Sequence, residues 1–399
     1  MRKRILGGVI AATMAAASLV ATSAASHAAV DFSKCTSLKE CGGMDALVAA
    51  AKKEGKLNVI TLPRDWANYG EAMDLFQKAF GIKITDDNPD GSSAYEIQTV
   101  KTAPASKVPD AVDVGITYGA DNSNLFAPYK VQNWNDITPT YKDANGRWYG
   151  DYAGVIALSY DTSISKAPKS FADLKDPAFK NQVAIGGDPS GAQEALMSVF
   201  AANLSSGGTP DNVQPGIDYF KNLKSSGNFV TALASGQNFL AGAYKVSFSW
   251  SFNGPGAVAT AAKAGKTVKY IIPSDAVIKG TPYIMGIPFN APHPAAARLW
   301  TEFLYSENKG KGSMDVNASF LKGKTGSQVF AAINGGQNIW IAGGALPIEY
   351  DAMVAKKTNA PAPDGYGIPA GAKIVTPTPA QQDAAKTLLK AQWPAIAGN

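Results

Sequence analysis

Arg64, Asp65, Trp66 and Tyr69 stand together just after an apolar run, Leu57-Asn58-Val59-Ile60-Thr61-Leu62, that Pro63 ends. A cation, a carboxylate and two large rings on one short loop can recognise a small charged molecule by ion pairing and ring contact. Ser92 and Ser93 follow a second strand and precede a helical start, where hydroxyls and free backbone N–H groups either hold an anion or simply cap the helix. Tyr149, Asp151 and Tyr152 put aromatic faces on both sides of a carboxylate, an arrangement suited to an amine. Cation–π contact there contributes about 0.5–2 kcal/mol per ring. Trp250 and Asn253 lie at the end of another strand, and Tyr283 sits in the strand Tyr283-Ile284-Met285-Gly286-Ile287, where core packing is its alternative use.

Catalytic constellations are missing from the residue inventory. His27 and His293 are the two histidines, and His27 falls in an N-terminal leader. His293 lies between two prolines before a helix, a structural start rather than a base, and no G-x-S-x-G elbow accompanies it. Gly323-Lys324-Thr325 has the ending of a phosphate loop, but Ala318 occupies the position that needs the first glycine. No cofactor is expected. Cys35 and Cys41 have no partner histidines and make no zinc site.

The elements that must position these groups begin after the leader. Arg2, Lys3 and Arg4 precede an apolar, alanine-rich run from Ile5 to Val20, and Ser26-His27-Ala28 has the small residues a signal peptidase reads. Cleavage is expected after Ala28, giving an exported, soluble protein, periplasmic or secreted. Cys35 has the wrong flanks for a lipid anchor, and in an exported chain a Cys35–Cys41 disulfide is favoured over free thiols. Loss of the leader leaves 34 of the 37 lysines and arginines against 32 acids, about +2. There is no basic stripe with interleaved aromatics, so nucleic-acid binding is disfavoured. At roughly 370 mature residues, two domains are the default.

Helix and strand patterns alternate along the chain. Met44 to Gly55 and Tyr69 to Phe80 read as helices, and Leu57 to Leu62, Gly81 to Thr85 and Ala111 to Ile116 as strands. Beyond Asp151 the alternation restarts. Strands are expected at Val155 to Tyr160, Val183 to Ile185, Val246 to Trp250 and Val268 to Pro273, with helices at Gly191 to Phe200 and Ile217 to Leu223. Strands separated by helices predict βαβ units and parallel sheets in two α/β lobes, with ligand bound where strand ends from both converge.

Ala291-Pro292-His293-Pro294 running into Leu299-Trp300 and Phe303-Leu304 resembles a helix of bacterial extracellular solute-binding proteins, the receptors of ABC importers. So do Lys53 to Leu57, Pro63 to Gly70, Asp87 to Ala94, Trp148 to Val155, Phe171 to Pro177 and Gly187-Asp188-Pro189, which together are similar to the iron(III)/polyamine/thiamine-type branch. The resemblance implies a two-lobed type II periplasmic binding protein fold with ligand clasped between the lobes. Lobe 1 would hold residues 43–151 and 274–291, lobe 2 residues 152–273, and the helical segments of 292–399 would pack across both. Partners would be a small molecule and the permease subunits, the receptor itself being a monomer. Ligand would be a polyamine or other amine-bearing compound, zwitterions such as an aminophosphonate included, meeting Asp65, Asp151 and the rings at one end and Arg64, Ser92 and Ser93 at the other. Ferric iron or an anion is the alternative of the same fold, although no adjacent tyrosine pair occurs to suit iron. A secreted α/β hydrolase is the rival class. Two departures stand out: residues 308–335 interrupt the family pattern, read as surface decoration, and Ser251-Phe252 follow Trp250 where relatives often carry an acid.

Overall fold

Two glycines in the left-handed region set the first two helices. Gly55 (φ 71°) returns its N–H to Ala51 O at the end of Met44–Glu54, and Gly81 (φ 69°) returns its N–H to Gln77 O at the end of Tyr69–Phe80. Only glycine holds that conformation without strain against a Cβ. The strands that follow, Lys56–Ile60 and Lys83–Asp87, pair in parallel. The structure is a computed structural model that describes residues 30–398 other than 90, 92, 363, 364 and 366. The leader and its cleavage position lie outside the described residues, as does Ser92.

A three-stranded sheet places Tyr283–Gly286 between Val112–Gly115 and Trp148–Gly150, antiparallel to both. A separate four-stranded sheet runs in the order Val183–Ala184, Val246–Trp250, Ile156–Asp161, Val268–Ile271. Its first pair is parallel and the others are antiparallel. The expectation of parallel sheets throughout therefore needs correction. Parallel neighbours require a crossover element between them, but Ile156–Asp161 and Tyr283–Gly286 arrive directly from the other sheet and run against their neighbours. The chain crosses between the sheets at Asp151 to Val155 and returns through residues 272–282.

The buried face of Tyr69–Phe80 meets the Pro294–Leu304 helix, where the Phe76 ring stands edge-on to Trp300 at 5.1 Å. Glu54 closes the start of that second helix, accepting from Ala295 N at 3.0 Å and Ala296 N at 2.7 Å. His293 belongs to the same junction. Its backbone N–H donates to Asp110 Oδ1 at 2.6 Å, and its ring Nδ1 lies 2.8 Å from Oδ2. Cys35 and Cys41 are bonded, and Arg298 ties their loop to the helix by donating to the carbonyls of Cys35 and Ser33.

The interrupting segment is more than decoration. Val316, Val329, Phe330 and Ile333 join the main core. Gly326 lies so close to Val48 that a Cβ there would come within 2.7 Å of it, and Ser327 N donates to Asp45 at 2.7 Å. Of the four apolar residues, Val329 and Phe330 sit on the short helix Gly326–Ala332, whose start docks on Met44–Glu54. At the other end, Thr378 and Gln381 form a capping box that starts Pro379–Ala397. Trp393 of that helix packs on Phe220 and Phe229 beside the four-stranded sheet.

Candidate functional site

Where the two sheets meet, a cavity of about 310 Å³ is lined by Trp66, Tyr69, Ser93, Glu96, Asp113, Tyr118, Tyr152, Gln193 and Tyr283, among others. Asp113 is its electrostatic centre. It interrupts an otherwise apolar strand, Ala111-Val112-Asp113-Val114, and is 95% buried. Its Oδ2 accepts from Tyr69 OH at 2.7 Å and from Tyr152 OH at 3.2 Å. Glu96, in the first turn of Ser93–Thr102, accepts from Asp113 N at 3.2 Å. The positive end of that helix favours an acid there.

Asp151 lies directly behind Asp113, its Oδ1 bound by Tyr152 N at 2.6 Å. Asp113 Oδ1 and Asp151 Oδ2 are buried without a hydrogen-bond partner among the described residues. Burial, then the charge of Asp113, pushes the Asp151 carboxyl well up. Burial also raises Asp113, but the bonds from Tyr69 and Tyr152 help hold the rise to about 6. Glu96 is pushed well up by burial and by Asp113. Asp113, at about 6, ionises near neutral pH, while Glu96 and Asp151 are shifted toward their protonated forms, a shift that a bound cation would oppose.

Rings complete the walls. Trp66 stacks on Phe252 at 5.7 Å and stands edge-on to Tyr283 at 5.5 Å, while Tyr152 and Tyr283 stack at 5.7 Å. Burial raises the phenols of Tyr69, Tyr152 and Tyr283, Asp113's charge adding to it, so they remain protonated.

A neighbouring chamber of about 410 Å³ shares Trp66 as a wall and includes Asp65, Glu194 and Asn253 in its lining. Glu194 Oε2 accepts from Trp250 N at 2.9 Å and Asn253 Nδ2 at 3.1 Å. Desolvation moves its carboxyl up to about 7 against those two bonds. The acid that the sequence lacks after Trp250 is therefore supplied at that strand end from another element, the Gln193–Ser205 helix.

The residues singled out from sequence divide. Trp66, Tyr69, Ser93, Tyr152 and Tyr283 line the first cavity; Asp65 and Asn253 line the second. Ser93 already accepts from Gly115 N at 3.0 Å. Asp151 lines neither cavity and is fully buried, bound by Tyr152 N. Arg64 requires correction: it lines neither cavity, because Asp74, along the helix that follows, takes its guanidinium at 2.8 Å on the exposed side. Tyr149 also turns away, its ring against Trp134 and Tyr305. Trp250 is a packing residue. Its indole fills the space that missing Cβ atoms leave at Gly154 and Gly280, where a Cβ would come within 2.5 Å of the ring. Glu96, Asp113, Glu194 and Phe252 were not singled out. A lone carboxylate in an apolar strand was the available signal for Asp113. Among the described residues, no group of three or more His, Cys, Asp or Glu could hold a metal ion.

Residues 110–318, just over half the chain, match the bacterial extracellular solute-binding protein family. The chain belongs to that family. It is 33% identical over 138 residues to the Fe(3+)-binding periplasmic protein of Serratia marcescens, a match covering 32% of this chain and 39% of that protein. Solved structures share the fold at lower identity. The periplasmic binding protein AfuA of Actinobacillus pleuropneumoniae, with fructose-6-phosphate bound, superposes with a TM-score of 0.53 at 14% identity over 86% of this chain and 99% of its own. The spermidine/putrescine substrate-binding protein PotD of Streptococcus pneumoniae gives 0.53 at 13% over the same shares. The ferric binding protein of Campylobacter jejuni gives 0.52 at 13% over 85% and 99%. The fold is the two-lobed type II periplasmic binding protein fold, with a cleft between lobes. Family and fold are those of substrate-binding proteins, and no helix among the described residues is long and apolar enough to cross a membrane.

Proposed function

We propose that this solute-binding protein captures a small organic cation between its lobes and delivers it to the permease of an ABC importer. The carrying observation is Asp113: a buried carboxylate in an aromatic cavity, beside two further buried acids that are shifted toward protonation. Among the described residues, neither cavity is lined by lysine or arginine. An anion there would face Asp113 with no countercharge, whereas an ammonium gains ion pairing and ring contact together. The zwitterionic reading weakens because Arg64 is engaged elsewhere. Lobes dividing at Asp151 and at residues 272–282 would close on the ligand as a hinge, the ligand favouring the closed state by its contacts to both. The receptor acts as an exported, lipid-free monomer without catalytic turnover; His293 serves a helix start outside both cavities.

Ferric iron is the second reading, favoured by the Serratia relative and by four tyrosines in the lining. Against it, Tyr69 and Tyr152 spend their hydroxyl protons on Asp113, whereas iron needs tyrosinates. A thermal-shift screen of putrescine, cyclohexylamine, fructose-6-phosphate and ferric citrate tests the choice. A ligand at about 100 times its Kd adds about 2.7 kcal/mol of stability. Stabilisation by an amine supports the proposal; stabilisation by ferric citrate or the sugar phosphate alone refutes it.

A further inference from the structure

The strand Val246–Trp250 carries two chemistries on its two faces. Phe248 points to one side and stacks on Phe171 at 5.1 Å, in the main core. Ser247 and Ser249 point to the other side, and Ser159 of the adjoining strand joins them, bonded to Ser247 at 2.7 Å. All three serines are at least nine-tenths buried. A sheet face covered by a helix normally gains its stability from apolar contact, so three buried hydroxyls under a cover run against that interest. The cover itself is thin: Gly256, Ala257, Thr260 and Ala261 of the Gly254–Lys263 helix present small side chains to the chamber. Small residues above and hydroxyls below leave the 410 Å³ empty rather than packed.

This space adjoins the amine cavity. Trp66 lines both, and its buried indole N–H has no acceptor among the described residues. Tyr244, Tyr270, Asn253 and Glu194 add further polar groups to the chamber wall. Each hydroxyl can both donate and accept, so the wall matches a ligand portion with several hydroxyls better than an alkyl chain or a second localised charge.

We infer that the ligand is an amino-polyol, its ammonium held by Asp113 between the lobes and its hydroxylated arm passing Trp66 into the adjoining serine-floored chamber. The inference rests on the cation-receptor reading and adds the class of cation. It requires the chamber to contribute affinity only for ligands that carry the arm.

Isothermal titration calorimetry on the full chain separates the two ideas, with cyclohexylamine, glucosamine and putrescine as probes. Glucosamine should bind about tenfold more tightly than cyclohexylamine, as one or two net hydrogen bonds provide. Ala257→Phe, which fills the chamber from a half-buried helix position, should bring that ratio to about one without changing cyclohexylamine. Ser247→Ala should reduce it several-fold by removing one hydroxyl from the floor. If cyclohexylamine binds and glucosamine is no tighter, or putrescine surpasses both, the amino-polyol assignment is wrong while the cation receptor stands. Equal losses for glucosamine and cyclohexylamine in Ala257→Phe would also overturn it. If none of the three amines binds, the cation-receptor reading itself fails.

Discussion

The two cavities beside Trp66 solve the burial of polarity in opposite ways. Between the lobes, three carboxyl groups are almost wholly enclosed, and burial shifts all three toward protonation. In the adjoining chamber, polarity comes mainly from hydroxyls, Ser159 and Ser247 bonding each other, with Glu194 anchored by Trp250 N and Asn253 and Asp65 in the wall. The first arrangement stores protons that a cation can displace; the second offers neutral bonds and little charge. The contrast teaches that charge recognition belongs beside Asp113, and shape or hydroxyl recognition to the chamber on the far side of Trp66.

The largest break in this comparison should come from Asp113→Asn. Removing the one ionised group of the cleft should weaken amine binding by about two to three orders of magnitude, as loss of a buried ionic partner does. Calorimetry checks the affinity, and a thermal melt should show the free protein no less stable, because three crowded acids become two.

Acidity sharpens the same contrast. Asp113 is raised to about 6 in the free protein, and a bound ammonium lowers it again, so amine affinity should fall about tenfold per pH unit below 6. Stability of the free protein moves the other way. A carboxyl raised from 3.8 to about 6 stabilises the fold fully below the unfolded value, and that contribution is lost as pH rises through 6. Glu194 does the same between 4.5 and about 7. Thermal melts of wild type and Glu194→Gln at pH 5 and pH 8 read the second effect: the variant should match wild type at pH 5 and exceed it at pH 8.

Smaller effects mark what lies outside both cavities. Replacing Cys35 and Cys41 by alanine should cost about 2 kcal/mol in a denaturant melt, by the chain-entropy argument for a short loop, and leave amine affinity unchanged. Arg64→Ala should change affinity least of all. Its pair with Asp74 is half exposed and of small worth.

Much of this architecture was legible in the sequence. Tyr69–Phe80 and Val246–Trp250 occur where periodicity placed them, since both patterns run unbroken between clear stops. Strand direction was not legible, because it depends on which sheet a crossing segment enters. At the site, aromatic residues on the loop after the first strand were legible, whereas Arg64 was misread because its partner Asp74 lies ten residues along, on the next helix. Asp113 and Glu194 escaped notice for the same reason: their importance comes from Tyr69, Tyr152, Trp250 and Asn253, which only folding brings to them.

The central claim is that a cation displaces protons from the Asp113 cluster. Its most direct test is the number of protons exchanged on binding the tightest amine at pH 5.5. Calorimetry in two buffers of different ionisation enthalpy gives that number. The structure predicts release of about one proton or more, diminished in Asp113→Asn. No release, or uptake of protons, would contradict it.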